Sequence, residues 1–132
     1  MSKKILIVDD EPDIVIALQF LMEQQGYYVM TAQRGEFALD SIYQYKPDLV
    51  LLDIMLPGID GYKVCEIVRL NPEYRYTKII FLTAKSSEVE IAKGLALGGD
   101  AYISKPFSNT ELVAKVKKLL EKNHQEPFLI HG

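Results

Sequence analysis

Two adjacent aspartates, Asp9 and Asp10, close an apolar run near the N-terminus. A third, Asp53, closes another, while Thr83 and Lys105 follow two further apolar segments. Carboxylates brought together cannot all stay ionised without compensation. A hard divalent cation supplies it, and Mg2+ keeps several waters while accepting one or two carboxylates. One ammonium, from Lys105, would complete the neutralisation of Asp9, Asp10 and Asp53. Such a site suits phosphoryl transfer, because metal and lysine absorb charge on the phosphoryl oxygens. Asp53 would be the nucleophile, and Thr83 offers a hydroxyl donor. Each residue alone has a plainer reading. Asp9, Asp10 and Glu11 can cap the next helix and complement its dipole; Glu11 is left with that role. Thr83 can simply end a strand, and Lys105 can sit on a surface loop. The weight comes from convergence.

Convergence requires a scaffold, and the hydrophobic pattern describes one. Ile5–Val8 is a β-branched apolar run of the kind covered on both faces of a sheet. Pro12 opens a helix carrying Ile14, Leu18, Leu21 and Met22, closed by Gly26. Tyr28–Ala32 reads as a second strand and Phe37–Tyr45 as a second helix. Asp48–Leu52 is a third strand, Gly61–Leu70 a helix stopped at Asn71-Pro72, and Ile79–Leu82 a fourth strand. Val89, Ala92 and Leu95 give a helix ending at Gly98-Gly99, and Ala101–Ile103 a fifth strand. Ser108-Asn109-Thr110-Glu111 matches a capping box before Leu112, Val116, Leu119 and Leu120. Alternation of this kind predicts an α/β fold, a parallel sheet with helices on both faces. Asp9, Asp10, Asp53, Thr83 and Lys105 then share the edge where open parallel sheets bind ligands.

Length and composition are consistent with this scheme. The 132 residues fit one domain, expected over 1–121, with 122–132 as a C-terminal tail or the start of a linker. Apolar residues make up 48% and charged residues 25%, an ordinary globular balance. A net charge of −3 argues against a surface devoted to nucleic acid, which needs a basic face. The single cysteine, Cys65, excludes an internal disulfide and is placed in the core. His124 and His131, with Phe128-Leu129-Ile130, fall in the tail. No apolar stretch has the length of a bilayer span, so a soluble cytoplasmic protein without membrane contact is expected.

The segments ILIVDDEP, PDLVLLDIMLPGIDGY, IIFLTA and GLALGGDAYISKPF, in this order, resemble the bacterial response-regulator receiver domain, chemotaxis regulators included. The resemblance runs from about Lys3 to Leu120 and implies a flavodoxin-like (βα)5 fold with strand order 2-1-3-4-5. It implies that Asp53 takes a phosphoryl group, that Asp10 binds Mg2+ directly (Mn2+ as a substitute), and that Asp9 holds a metal-bound water. The backbone carbonyl of Met55 would complete the metal site. Lys105 would pair with the phosphoryl group, Thr83 would move toward it and Tyr102 would turn inward behind it. The Lys105–Pro106 bond would be cis. A sensor histidine kinase or histidine phosphotransfer protein would be the donor, and a partner or output domain would read the face of the fourth helix, fifth strand and fifth helix. Met55 and Lys85 flank the site and would tune the lifetime of the phosphorylated form. Ala101 and Lys115 depart from the pattern of DNA-binding members, which weakens the case for a dimer on phosphorylation.

The expected role is therefore a phosphorylation-dependent switch, not a turnover enzyme; it would catalyse only its own phosphorylation and slow dephosphorylation. A metal-dependent phosphatase or phosphotransferase acting on small substrates is the main alternative. Met55 stands two residues beyond Asp53, where one class of aspartate phosphatases places a second carboxylate. A nucleotide or flavin site is opposed by the acidic loop Asp9-Asp10-Glu11-Pro12, which repels phosphate. A receiver-like binding module that is never phosphorylated is opposed by the presence of all five site residues.

Overall fold

The structure, a computed structural model, describes residues 2–121. The tail, with His124, His131 and Phe128-Leu129-Ile130, lies outside the described residues. The elements follow as β1 (Lys4–Val8), α1 (Pro12–Gln24), β2 (Tyr28–Ala32), α2 (Gly35–Tyr45), β3 (Leu49–Leu52), α3 (Gly61–Leu70), β4 (Lys78–Thr83), α4 (Glu88–Ala96), β5 (Ala101–Ser104) and α5 (Asn109–Glu121). All strand pairs are parallel, in the order β2-β1-β3-β4-β5. This is the flavodoxin-like architecture expected from the sequence.

The three central strands are the most apolar because helices cover both their faces. Side chains alternate along them. Leu6, Val8, Val50, Leu52, Ile79 and Phe81 join the core layer beneath α2 and α3. Ile5, Ile7, Leu49, Leu51, Ile80 and Leu82 join the opposite layer beneath α1 and α5. Burying each such aliphatic side chain contributes about 1.5–3 kcal/mol. The edge strands need less: β2 leaves Tyr28 and Thr31 exposed, and β5 is fully buried only at Ile103.

The differences from the sequence reading have local causes. β1 and β4 each begin one residue early, at Lys4 and Lys78, whose charges mask their strand character. Asp48, expected in β3, precedes it, and its carboxylate accepts the Lys4 N–H at 2.7 Å. α2 begins at Gly35, two residues before Phe37, and its N-cap Arg34 makes no side-chain cap, so no signal marked the start. Pro72 does more than stop α3. It opens a single 3-10 turn (Pro72–Tyr74), with Asn71 Oδ1 accepting the Glu73 N–H at 3.0 Å. Gly26 ends α1 as expected, with φ +89 and its N–H on the Glu23 carbonyl. Among the described residues no helix is long and apolar enough to cross a membrane.

Candidate functional site

Strand register delivers the polar residues to one place. Val8 is level with Leu52, and Leu52 with Phe81. Each ladder then runs one residue past its strand: Asp53 N–H donates to the Val8 carbonyl (3.0 Å), and Lys105 N–H to that of Thr83 (2.9 Å). Asp9 is fixed the same way, its N–H on the Ala32 carbonyl at 3.1 Å. Residues distant in sequence thus project from one edge of the sheet, beside the point where the strand order reverses between β1 and β3.

Asp9 and Asp53 are almost fully buried, whereas Asp10 is exposed. Lys105 Nζ lies 2.7 Å from Asp9 Oδ2 and 3.1 Å from Asp53 Oδ2. Burial alone would lower the affinity of this amine for its proton, but its bonds to Asp9 and Asp53 outweigh that and hold its pKa above the ordinary lysine value. Asp9 moves the other way relative to its charge. Burial raises its pKa, Lys105 and the Glu11 N–H oppose the rise, and Asp53 adds to it. Asp53 Oδ1 accepts the Met55 N–H at 3.2 Å, which orients the second oxygen toward Lys105.

The donor set fits a hard divalent cation. Asp9, Asp10 and Asp53 each offer a carboxylate oxygen, and the three oxygens lie within 4.8 Å of one another. Oxygens on one Mg2+ octahedron stand about 3–4 Å apart, so the spacing needs only small inward adjustments. Burying two aspartates beside a third also leaves more negative charge than one lysine neutralises.

Of the remaining sequence candidates, Thr83 is fully buried at the end of β4 and its Oγ1 accepts the Lys85 N–H at 3.4 Å. Tyr102 is half-buried on β5, with its ring centroid 5.8 Å from that of Phe81 and its hydroxyl donating to the Lys85 carbonyl at 2.6 Å. The Lys105–Pro106 peptide is cis. Cys65 is buried, and burial pushes its thiol up to about 11. Glu11 requires a correction. It occupies the N-cap position of α1 but makes no side-chain cap. Its Oε1 instead takes Lys105 Nζ at 3.1 Å, because the same lysine that bridges Asp9 and Asp53 comes within reach of a long neighbouring carboxylate.

A second polar group stands beside the site, unmarked by any pattern in the sequence. Tyr62, on α3, donates through its hydroxyl to the carboxylate of Glu90 on α4, and the hydroxyl also lies 3.1 Å from the Glu90 carbonyl. Lys93 Nζ sits 4.5 Å above the Tyr62 ring. These residues, with Asp10, Met55, Asp60 and Lys85, line an open cleft of about 530 Å3 that runs from the acidic cluster to α4. Following Gly61 in a helical pattern, Tyr62 looks like a core aromatic; only the tertiary approach of α4 gives its hydroxyl a partner.

The family model for the response regulator receiver domain matches residues 5–117. The chain belongs to that family. It is therefore the receiver domain of a two-component response regulator, a class of phosphoacceptor signalling domains. Solved receivers superimpose on it closely. A putative response regulator from Chloroflexus aurantiacus shares 38% identity over 92% of this chain and 100% of its own, with a TM-score of 0.88. A CheY-like receiver from Methanospirillum hungatei shares 34%, covering 92% and 95%, with a TM-score of 0.84. The BeF3-activated N-terminal receiver of RstA from Klebsiella pneumoniae shares 32%, covering 91% and 100%, with a TM-score of 0.85.

Proposed function

We propose that this receiver domain, placed at residues 1–121 with 122–132 as a tail or linker start, accepts a phosphoryl group on Asp53 and passes the change of state to a partner protein. The donor is a phosphohistidine of a sensor kinase or phosphotransfer protein. A carboxylate oxygen of Asp53 attacks phosphorus, the new O–P bond forms, and the P–N bond to the imidazole breaks with its electron pair returning to the ring. Asp9, Asp10, Asp53 and the Met55 carbonyl would hold Mg2+, with Mn2+ as a substitute. When bound, that ion supplies positive charge against the phosphoryl oxygens. Lys105 is drawn from Asp9 and Asp53 to pair with a phosphoryl oxygen, and the Thr83 hydroxyl donates to another. Tyr102 follows the movement of the loop after Thr83, to whose Lys85 carbonyl it is bonded.

The supporting observation is the ammonium of Lys105 within 3.1 Å of Asp53 and 2.7 Å of Asp9, with Asp10 in the same cluster. Output is assigned to the face of α4, β5 and α5, without direct contact to nucleic acid or membrane, in the cytoplasm. Dimerisation through that face is disfavoured because Asp100 is engaged within the chain, by Arg69 (3.0 Å) and the Ile79 N–H (2.8 Å). Incubation with acetyl phosphate and Mg2+ is expected to add one phosphoryl mass to the intact chain. Asp53→Asn is expected to abolish the gain and EDTA to suppress it. A gain that survives Asp53→Asn, or no gain by the unaltered protein, contradicts the proposal.

A further inference from the structure

The loop from Asp53 to Gly61 carries the proposed phosphoacceptor and the proposed carbonyl ligand, so its stiffness sets how well the site is formed. Its two ends are held by the loop itself. The Leu56 and Gly61 N–H groups both donate to the Ile54 carbonyl, at 3.0 and 2.9 Å. Gly61 packs so closely that a Cβ there would lie 2.2 Å from the Asp53 carbonyl oxygen. The apex differs. Pro57 has no N–H to give, Gly58 has φ +75, and among the described residues no backbone–backbone hydrogen bond ties 57–59 to the rest of the loop.

What meets the apex is the first turn of α2. A Cβ on Gly35 would lie 2.2 Å from the Ile59 carbonyl oxygen, so the helix start rests directly on loop backbone. A Cβ on Gly58 would lie 2.3 and 2.5 Å from the two carboxylate oxygens of Glu36, so that carboxylate lies against the glycine. Its own N–H, the charge of Arg34 at 3.5 Å and the nearby Ile59 N–H hold the Glu36 carboxyl below the usual range. The carboxylate therefore packs from the start of α2 against the apex of the loop.

We propose that Glu36 is a positioning residue for phosphoryl transfer: it holds the apex at Gly58-Ile59 from α2 and so fixes the Met55 carbonyl and Asp53 for the divalent ion. The inference rests on the metal-assisted reading given above. Glu36 touches neither ion nor phosphoryl group; it acts through the loop, as residues that orient metal ligands do.

The test is calorimetric titration of the full chain with Mg2+ alone, for the unaltered protein, Glu36→Ala and Glu36→Gln. Glu36→Ala is expected to bind Mg2+ roughly tenfold more weakly, the low end for loss of a group that orients metal ligands. Glutamine keeps the shape of the group that packs against Gly58, so Glu36→Gln is expected to bind like the unaltered protein. Raising Mg2+ to saturation is expected to restore the rate at which Glu36→Ala is phosphorylated by acetyl phosphate. Equal Mg2+ affinity in the unaltered protein and Glu36→Ala overturns the inference. So does a Glu36→Gln variant as weak as Glu36→Ala, which would assign the effect to charge alone. An unaltered protein that binds no Mg2+ overturns instead the metal-assisted reading on which the inference stands.

Discussion

α3 and α4 flank the same cleft on the same face of the sheet, yet they are held in opposite ways. α3 buries Gly61, Tyr62, Val64, Cys65 and Val68 and is capped by Asp60, whose carboxylate accepts the Lys63 N–H at 2.9 Å. α4 buries only Gly94, and leaves Val89 75% and Leu95 45% exposed. It rests on the sheet through that glycine, where a Cβ would stand 3.0 Å from the Phe81 and Tyr102 rings. Its other fastenings to α3 are polar: the Tyr62 hydroxyl on Glu90, and Lys93 Nζ over the Tyr62 ring. Burial resists displacement in every direction, whereas a few hydrogen bonds can be exchanged at little net cost. The helix beside the phosphoacceptor loop is thus a fixed wall, and its neighbour is the element free to respond.

The contrast breaks most visibly in stability. Val68→Ala removes fully buried volume from α3 and is expected to cost roughly 2 kcal/mol in urea unfolding. Val89→Ala on α4 is expected to cost under about 0.5 kcal/mol. Similar losses for the two would mean that α4 is anchored as firmly as α3.

A finer cut separates the hydroxyl of Tyr62 from its ring. Tyr62→Phe keeps the buried ring but frees Glu90, with an expected loss of about 1 kcal/mol or less. Its amide exchange should quicken in the first turn of α4 while α3 holds its protection. Unchanged exchange at Val89 and Ile91 would show that the Tyr62–Glu90 contact restrains nothing. The gentlest probe reads thiol reactivity on each helix. With its thiol pushed up to about 11 by burial, Cys65 is expected to resist maleimide at pH 8 in the folded state. A cysteine introduced by Leu95→Cys on α4 should react at once. Rapid labelling of Cys65 would show that α3 opens as readily as α4.

Much of this was legible in the chain itself. Ile5–Val8, Leu49–Leu52 and Ile79–Leu82 declare themselves as covered strands, and the residues that follow them have nowhere to go but one edge of a parallel sheet. Asp9, Asp10, Asp53, Thr83 and Lys105 could therefore be gathered on paper. What stayed hidden were partnerships of long side chains: Glu11 with Lys105, Tyr62 with Glu90, Glu36 with the backbone at Gly58. Each depends on how two elements approach in space, and neither member carries a local signal. The start of α2 was hidden for a related reason: it is fixed by contact of Gly35 with the loop at Ile59 and not by a capping side chain.

The most direct test follows amide hydrogen exchange before and after phosphorylation with acetyl phosphate and Mg2+. Protection is expected to change across the segment from Lys85 into α4, with α3 unaltered, and the change should vanish in Asp53→Asn. Equal changes in α3 and α4, or a change in α4 that persists in Asp53→Asn, would contradict a switch driven from Asp53 and expressed through the loosely held helix.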